Sequence, residues 1–231
     1  MFFDPLYLIF MIPAFILMGI TSWYVRHAYN KWSQIRTNSG LTGAQAAQRL
    51  LSTSGIYGMQ VQGTYGELTD HYDPRNKTLF LSQGVANVPS VAAVAIAAHE
   101  MGHAMQDAEE YFPLKFRAAL VPMVNIGSNL GWILILAGIF LGFTQLAWAG
   151  VIFFAGGAVF ALATLPVEFD ASARAKVLLQ QTGIIRTEEE MRGVNQVLNA
   201  AALTYVAGLV TAVMQLLYYV MLVSGMGRQR D

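Results

Sequence analysis

The chain has 231 residues, with 14 Lys and Arg balanced by 14 Asp and Glu, and 55% of its residues are hydrophobic. Only 12% are charged, about half the share usual in soluble proteins. The hydrophobic excess excludes a disordered chain, and the lack of a basic excess argues against nucleic acid as a partner. Because there is no cysteine, disulfides, thiolate metal ligands and cysteine nucleophiles are excluded.

Long uncharged stretches predict about four membrane-spanning helices, since a helix needs roughly 20 apolar residues to cross a bilayer. Residues 5–25 fit one span, residues 118–167 fit two joined by a short turn, and residues 193–227 fit one more. The predicted spans are about 5–25, 118–142, 146–166 and 200–223. Two polar segments, 26–117 and 167–199, remain to form the catalytic part.

The lysines and arginines are concentrated in these two polar segments, which hold twelve of the fourteen. With four spans, both segments lie on the same side of the membrane. Because Lys and Arg accumulate on the cytoplasmic side, we expect a multi-pass protein whose polar segments face the cytoplasm. The first span has no basic region before it and no small-residue cleavage site, which is typical of a retained anchor.

Turn and cap residues divide the first polar segment into helices and short strands. Thr42 suits an N-cap, and Gly55 suits the end of the helix that follows it. Residues 59–82 predict short strands, with a turn at Asp73–Asn76 that makes a β-hairpin. Ser90 then precedes the next predicted helix, which is rich in Ala and Val and runs through His103 to about Asp107.

The stretch Thr78–Ser82 has two interpretations. It is either an ordinary strand of the sheet or an edge strand that pairs with the backbone of an extended peptide. In the second polar segment, residues 168–200 predict helix, and Thr187 with Glu190 fits a capping box.

His99-Glu100-Met101-Gly102-His103 is an H-E-x-x-H motif. On a helix, His99 and His103 stand on the same face, so both imidazoles can bind one Zn²⁺. Glu100 lies near that face and can act as a general base toward water at the metal. A site of two His and one Glu with an open position favours zinc over other divalent ions. We therefore expect one Zn²⁺ per chain.

A catalytic zinc site needs a third protein ligand. Glu168 is the first charge after the long apolar stretch, and a carboxylate at the end of a membrane helix is usually functional. Glu109 is the alternative, because it lies where the metzincin pattern places its third ligand. That pattern needs a helix-breaking glycine at position 106, which is Gln106 here, and an unbroken helix would put Glu109 about 15 Å from His99. We predict Glu168.

Further stretches along the chain carry a family resemblance. They are Gly40–Gly43, Gly66–Pro74, Ala97–Ala104, Val121–Asn129, Pro166–Ser172 and Leu198–Tyr205. On these stretches the chain resembles the bacterial membrane-bound neutral zinc metallopeptidases of the YugP-like family. The resemblance implies a zinc protease of the bacterial inner membrane that acts on a peptide or membrane-protein substrate.

More distantly, the chain is similar to gluzincins of the HtpX and CAAX-protease type. Those proteins use H-E-x-x-H with a later Glu, and this supports Glu168 as the third ligand. They also place an Asp four residues after that Glu, against a zinc histidine. Ser172 stands at that position here and Asp170 stands two residues earlier, so either could orient an imidazole. Asp107, four residues after His103, is either a further contact of that ring or a solvated helix end.

Hydrolysis of a peptide also needs a group that stabilises the oxyanion. His71, Arg174 and Tyr205 are the candidates. Each has a structural alternative: a residue of the hairpin for His71, an ion pair for Arg174, and a packed aromatic for Tyr205.

The predicted fold is a mainly α membrane protein with about four transmembrane helices and a small zincin-like α+β catalytic part. That part contains the H-E-x-x-H helix and a short β-hairpin, and we expect residues 1–231 to form a single integral-membrane metallopeptidase unit. The predicted function is a membrane-anchored zinc-dependent peptidase with Glu100 as the general base. The alternative is a zinc-binding membrane scaffold or chaperone-like protein without turnover, which would not need Glu100.

Overall fold

The computed structural model describes residues 4–228, most of them in helices. The elements in chain order are α1 (Pro5–Ser33), α2 (Gly43–Ser54), β1 (Gln60–Thr64), β2 (His71–Asp73), β3 (Thr78–Ser82), α3 (Gln83–Ala86), α4 (Val91–Ala108), α5 (Phe112–Phe140), α6 (Thr144–Gln181) and α7 (Glu188–Arg228). The predicted fold class, mainly α with a small α+β part, is confirmed.

Four helices of the described chain, α1, α5, α6 and α7, are long and apolar enough to cross a membrane. Each overlaps one of the predicted spans, although α5 ends at Phe140, two residues before the predicted end of its span. Their number agrees with the prediction. Helix α6 does not end with its apolar stretch but runs through Pro166 as far as Gln181. An interior proline removes a backbone donor and crowds the preceding turn, but here the helix continues past it into the second polar segment.

Internal contacts divide the chain into two compact units. Residues 22–114 and 166–203 form one, here called the polar unit. The described residues among 1–21, 115–165 and 204–231 form the other, here called the apolar unit. The polar unit contains the sheet, α2 and the H-E-x-x-H helix α4.

In the apolar unit, glycines bring the backbones of α5 and α6 together. A Cβ atom on Gly138 would lie 2.4 Å from the backbone nitrogen of Ala147, and one on Gly131 would lie 2.8 Å from the carbonyl oxygen of Gly150. Helices in lipid associate mainly through such close packing. Gly142, with φ +63°, follows α5 in the turn that leads to α6.

The polar unit holds a three-stranded sheet in the order β1-β3-β2. Strands β2 and β3 pair antiparallel, with Asp73 opposite Thr78, which confirms the predicted hairpin. Strand β1 pairs in parallel with the other side of β3. The hypothesis that Thr78–Ser82 is an edge strand is therefore wrong, because both sides of β3 are already hydrogen-bonded. The edges of the sheet are β1 and β2.

Side-chain caps begin the helices at the predicted residues. Thr42 forms a capping box at the start of α2, and Gly55 ends that helix in the left-handed conformation. Ser90 accepts a backbone hydrogen bond at the start of α4. Thr187 and Glu190 form the predicted capping box at the start of α7.

Helix α4 is the centre of the polar unit's core. Its first two turns, Val91–Ala98, are almost entirely buried Ala and Val, and such small side chains let neighbouring elements approach closely. The larger buried side chains of the same core include Leu50, Leu79, Leu81, Leu179 and Leu198. Packing on several sides fixes the helix that carries the motif.

Asp70 gives the polar unit a pH-dependent contact. Its Oδ1 accepts a hydrogen bond from the Ser82 backbone N–H at 2.7 Å, yet burial raises the pKa of Asp70 above its ordinary value in spite of the hydrogen bonds from Ser82. For a carboxyl with a raised pKa, the contribution to stability is lost as pH rises through the folded-state pKa. Asp70→Asn keeps an acceptor for Ser82 without the charge.

We expect Asp70→Asn to unfold at a temperature equal to or higher than wild type at pH 7. The difference should shrink as pH is lowered towards about 4, where more of the wild-type carboxyl is protonated. Thermal unfolding of both proteins in detergent, followed over this pH range, measures the effect. A clearly lower unfolding temperature for the variant at pH 7 would contradict it.

Candidate metal centre

Helix α4 carries both histidines of the motif on one face. The ring centroids of His99 and His103 lie 4.8 Å apart, and their planes are inclined by 82°. Each side chain is 13% exposed. The two imidazoles thus stand together and are largely shielded from solvent.

Glu168, from α6, faces the two imidazoles. Its Oε2 lies 3.3 Å from Nε2 of His99 and 3.6 Å from Nε2 of His103. This approach depends on Gly102, because a Cβ atom there would lie 2.4 Å from the carbonyl oxygen of Ala171. The missing side chain lets the backbones of α4 and α6 touch, and this contact sets the carboxylate beside the histidines.

The three donor atoms suit a tetrahedral zinc site. They lie within 4.8 Å of one another. Ligands about 2.0–2.1 Å from a zinc ion at tetrahedral angles are about 3.3 Å apart, close to the two nitrogen–oxygen distances. Two imidazoles and one carboxylate also form a donor set of catalytic zinc sites, which keep a fourth position open. The residues present therefore fit one Zn²⁺.

The second nitrogen of each ring is hydrogen-bonded, as is usual for histidines that bind metals. Nδ1 of His99 is 3.2 Å from Oγ of Ser172, and Nδ1 of His103 is 3.0 Å from Oε1 of Gln106. The Nε2 atoms of both rings are left to face Glu168.

Negative charge surrounds His103. Glu100, the carboxylate of the H-E-x-x-H motif, is 7% exposed. Burial acts to lower the pKa of His103, but the hydrogen-bonded Glu168 carboxylate, with Glu100 nearby, holds that pKa above its ordinary value. The cluster thus favours added positive charge, which a divalent cation supplies.

Two of the predicted site residues are engaged elsewhere in the polar unit. The carboxylate of Asp107 accepts hydrogen bonds from the Tyr72 hydroxyl at 2.7 Å and from Nζ of Lys77 at 2.6 Å. The hydrogen-bond partners of Asp107 are thus Tyr72 and Lys77, and not an imidazole of the motif. His71 is exposed on β2, and its ring stacks on Phe80 with a centroid distance of 4.9 Å.

Arg174 forms ion pairs with two acidic residues considered above, Asp170 as an orienting residue and Glu109 as a metal ligand. Its Nε donates to Asp170 at 2.6 Å and its Nη1 donates to Glu109 at 2.7 Å. Glu109 is therefore held in an ion pair after the end of α4, outside the His-His-Glu cluster. Of the two residues considered for orienting an imidazole, Ser172 is the one that contacts His99.

Tyr205 lies half-buried on α7. The roles of His71, Arg174 and Tyr205 in stabilising an oxyanion stay predictions. For Arg174 the ion pairs described above match its structural alternative.

Gln106 is a site residue that the sequence reasoning missed. It is fully buried, and its Nε2 donates to the Val167 carbonyl oxygen at 2.7 Å and to Oδ2 of Asp170 at 2.8 Å. The sequence does carry a signal for it. Gln106 stands three residues after His103, so it shares a helix face with that histidine, and an amide on a buried face needs hydrogen-bond partners.

Comparison with known proteins finds one family and one curated relative. The family model described as "Putative neutral zinc metallopeptidase" matches residues 7–224. The relative is the "Putative membrane protease YugP" of Bacillus subtilis (strain 168), which is 41% identical over 218 residues, covering 93% of this chain and 96% of the relative. No solved structure matches the chain.

The contact at Gly102 can be tested by substitution. Replacing a helical glycine by alanine usually stabilises a helix by roughly 0.5–1 kcal/mol, but Gly102→Ala would force α4 and α6 apart. We expect a loss of about 1–3 kcal/mol, the usual cost of overpacking, together with weaker zinc binding. Thermal unfolding and zinc content in detergent measure both effects.

Gly208→Ala on α7 is the matched control, because a Cβ atom there meets nothing within 4 Å. It should keep wild-type stability or gain a little. If Gly102→Ala were as stable as this control and retained its zinc, the close approach of α4 and α6 would not be needed.

Proposed function

The chain belongs to the neutral zinc metallopeptidase family, and from that premise we propose that it is a membrane-anchored peptidase with a zinc site of its own. His99, His103 and Glu168 are the proposed ligands, and Glu100 is the proposed general base. The observation that carries the proposal is the convergence of two imidazoles and one carboxylate within 4.8 Å of one another, with the Glu168 oxygen 3.3 and 3.6 Å from the two Nε2 atoms.

Zinc, when bound, supplies Lewis acidity that polarises a peptide carbonyl and lowers the pKa of water. The chain's own residues do the rest of the chemistry. Glu100 takes the proton of the attacking water and then passes it to the leaving amine. Its burial beside the histidines supports this role, because a carboxylate shielded from bulk solvent keeps the proton it receives close to the reacting atoms.

An extended peptide needs a place to bind near these groups, and we place it along β2. This strand is an edge of the sheet. It is joined to the motif helix through the hydrogen bond from Tyr72 to Asp107. An edge strand offers unpaired backbone groups to a peptide that adds to the sheet, so β2 replaces β3 in this role.

The surroundings of the site follow from the apolar helices and the charge distribution. We propose a multi-pass protein of the bacterial inner membrane, with the polar unit on the cytoplasmic side, where most of the Lys and Arg lie. The relative's printed name, "Putative membrane protease YugP", supports the membrane location. The substrates we propose are peptides or membrane proteins, and the whole chain works as one metallopeptidase.

Glu100→Gln separates zinc binding from catalysis. We expect the variant to keep its zinc but to cleave an unfolded peptide library about 10²–10⁴ times more slowly, the usual contribution of general acid–base catalysis. Metal analysis and peptide cleavage in detergent measure the two properties. Glu189→Gln, an exposed substitution on α7, should cleave like wild type.

The same experiment decides between a peptidase and a zinc-binding scaffold without turnover. If wild type and Glu100→Gln both bound zinc and neither cleaved any peptide, the scaffold would be favoured. If the wild-type chain bound no zinc, the ligand assignment itself would fail.

The third ligand is tested by comparing two carboxylates. An amide is a much poorer zinc ligand than a carboxylate, so we expect Glu168→Gln to lose most of its zinc. Glu109→Gln should retain it, because Glu109 is bound to Arg174. Zinc content after dialysis against buffer measures both. The reverse result would make Glu109 the ligand.

A further inference from the structure

Gln106 has hydrogen-bond partners on both ends of its amide. Its Nε2 donates to the Val167 carbonyl oxygen at 2.7 Å and to Oδ2 of Asp170 at 2.8 Å, while its Oε1 lies 3.0 Å from Nδ1 of His103. The residue is completely buried, so water does not compete for these positions.

These partners fix which way the amide points. An amide nitrogen has two hydrogens to donate, and its oxygen only accepts. Both acceptors near Nε2, the Val167 carbonyl and the Asp170 carboxylate, are oxygens. Turning the amide over would set its oxygen against both of them. The oxygen must therefore face His103.

The direction of the amide in turn fixes the histidine. Because Oε1 only accepts, Nδ1 of His103 must carry the proton, and Nε2 is then the nitrogen with a free lone pair. Nε2 is the atom that faces Glu168. The corresponding contact of His99 is a Ser172 hydroxyl, which can donate or accept and so does not select a tautomer by itself.

Asp170 is held in place behind the amide. Its Oδ2 accepts from Nε of Arg174 at 2.6 Å as well as from Gln106. This arrangement keeps a carboxylate oxygen fixed as an acceptor for the amide. The carboxylate acts on the ring of His103 through Gln106.

We infer that Gln106 is a positioning residue that holds the His103 ring, through its amide oxygen, in the tautomer and orientation that present Nε2 to zinc. This inference rests on the proposed zinc site. It adds a residue to that site and links the site to the ion pair between Asp170 and Arg174. Loss of a partner of this kind typically lowers metal affinity 10–100-fold.

The test compares Gln106→Met and Gln106→Glu in the full chain in detergent. Methionine has a similar size but no hydrogen bonds. Glutamate offers an oxygen to Nδ1 of His103 but loses the amide donors to Val167 and Asp170. Zinc affinity is measured by competition with a chromogenic chelator, independently of peptide cleavage, and thermal unfolding of the metal-free proteins reports on the fold.

We expect Gln106→Met to bind zinc 10–100-fold more weakly than wild type. Gln106→Glu should lose less affinity than Gln106→Met, because one of its oxygens still accepts from Nδ1 of His103 although the other meets the oxygens of Val167 and Asp170. The absorption bands of Co²⁺ in place of zinc should shift in Gln106→Met, because the ligand field changes when His103 turns. Gln196→Met is the matched control. It removes the hydrogen bond from Trp32 to Gln196 in the same unit and should keep wild-type zinc affinity.

Two results would overturn the inference. Wild-type affinity in Gln106→Met would show that the amide is not needed to hold His103. An equal loss in Gln106→Met and Gln106→Glu would assign the effect to the contacts with α6 and not to His103. Absence of zinc from the wild-type chain would instead mean that the proposed function has failed.

Discussion

The site depends on the contact between two helix backbones. At Gly102 the motif helix touches the carbonyl of Ala171 on α6, and no side chain could be placed there without moving one of the helices. This contact brings a carboxylate from α6 to within 3.3 Å of an imidazole on α4. The distances between Glu168 and the two imidazoles, and the buried hydrogen bonds behind them, follow from that single approach.

Burial makes the hydrogen bonds of the polar groups in the site obligatory. Glu168 is 3% exposed and Gln106 is not exposed at all, and polar groups removed from water must find partners within the protein. The hydrogen bonds to the ring nitrogens meet that requirement and at the same time fix the rings. The same contacts thus satisfy the fold and prepare the site, which leaves little room for substitution at any one of them.

Much of this arrangement could be predicted from the sequence because its signals are local. The spacing of His99 and His103 follows from helix geometry, and Glu168 is marked by its place at the end of an apolar stretch. The parallel pairing of β1 with β3 leaves no comparable mark, because it joins segments that are apart in the chain. The network around Gln106 was missed for a similar reason: two of its partners, Val167 and Asp170, lie on a different helix.

The His-His-Glu cluster has a further consequence in a chain without cysteine. His99 and Glu168 are 69 residues apart in sequence, so an ion bound by both closes a loop as a disulfide would. On the chain-entropy estimate a crosslink of that span restricts the unfolded chain by about 4 kcal/mol. With zinc in the site, the metal would therefore stabilise the folded chain as a crosslink does. Chelation would then lower the melting temperature of the polar unit.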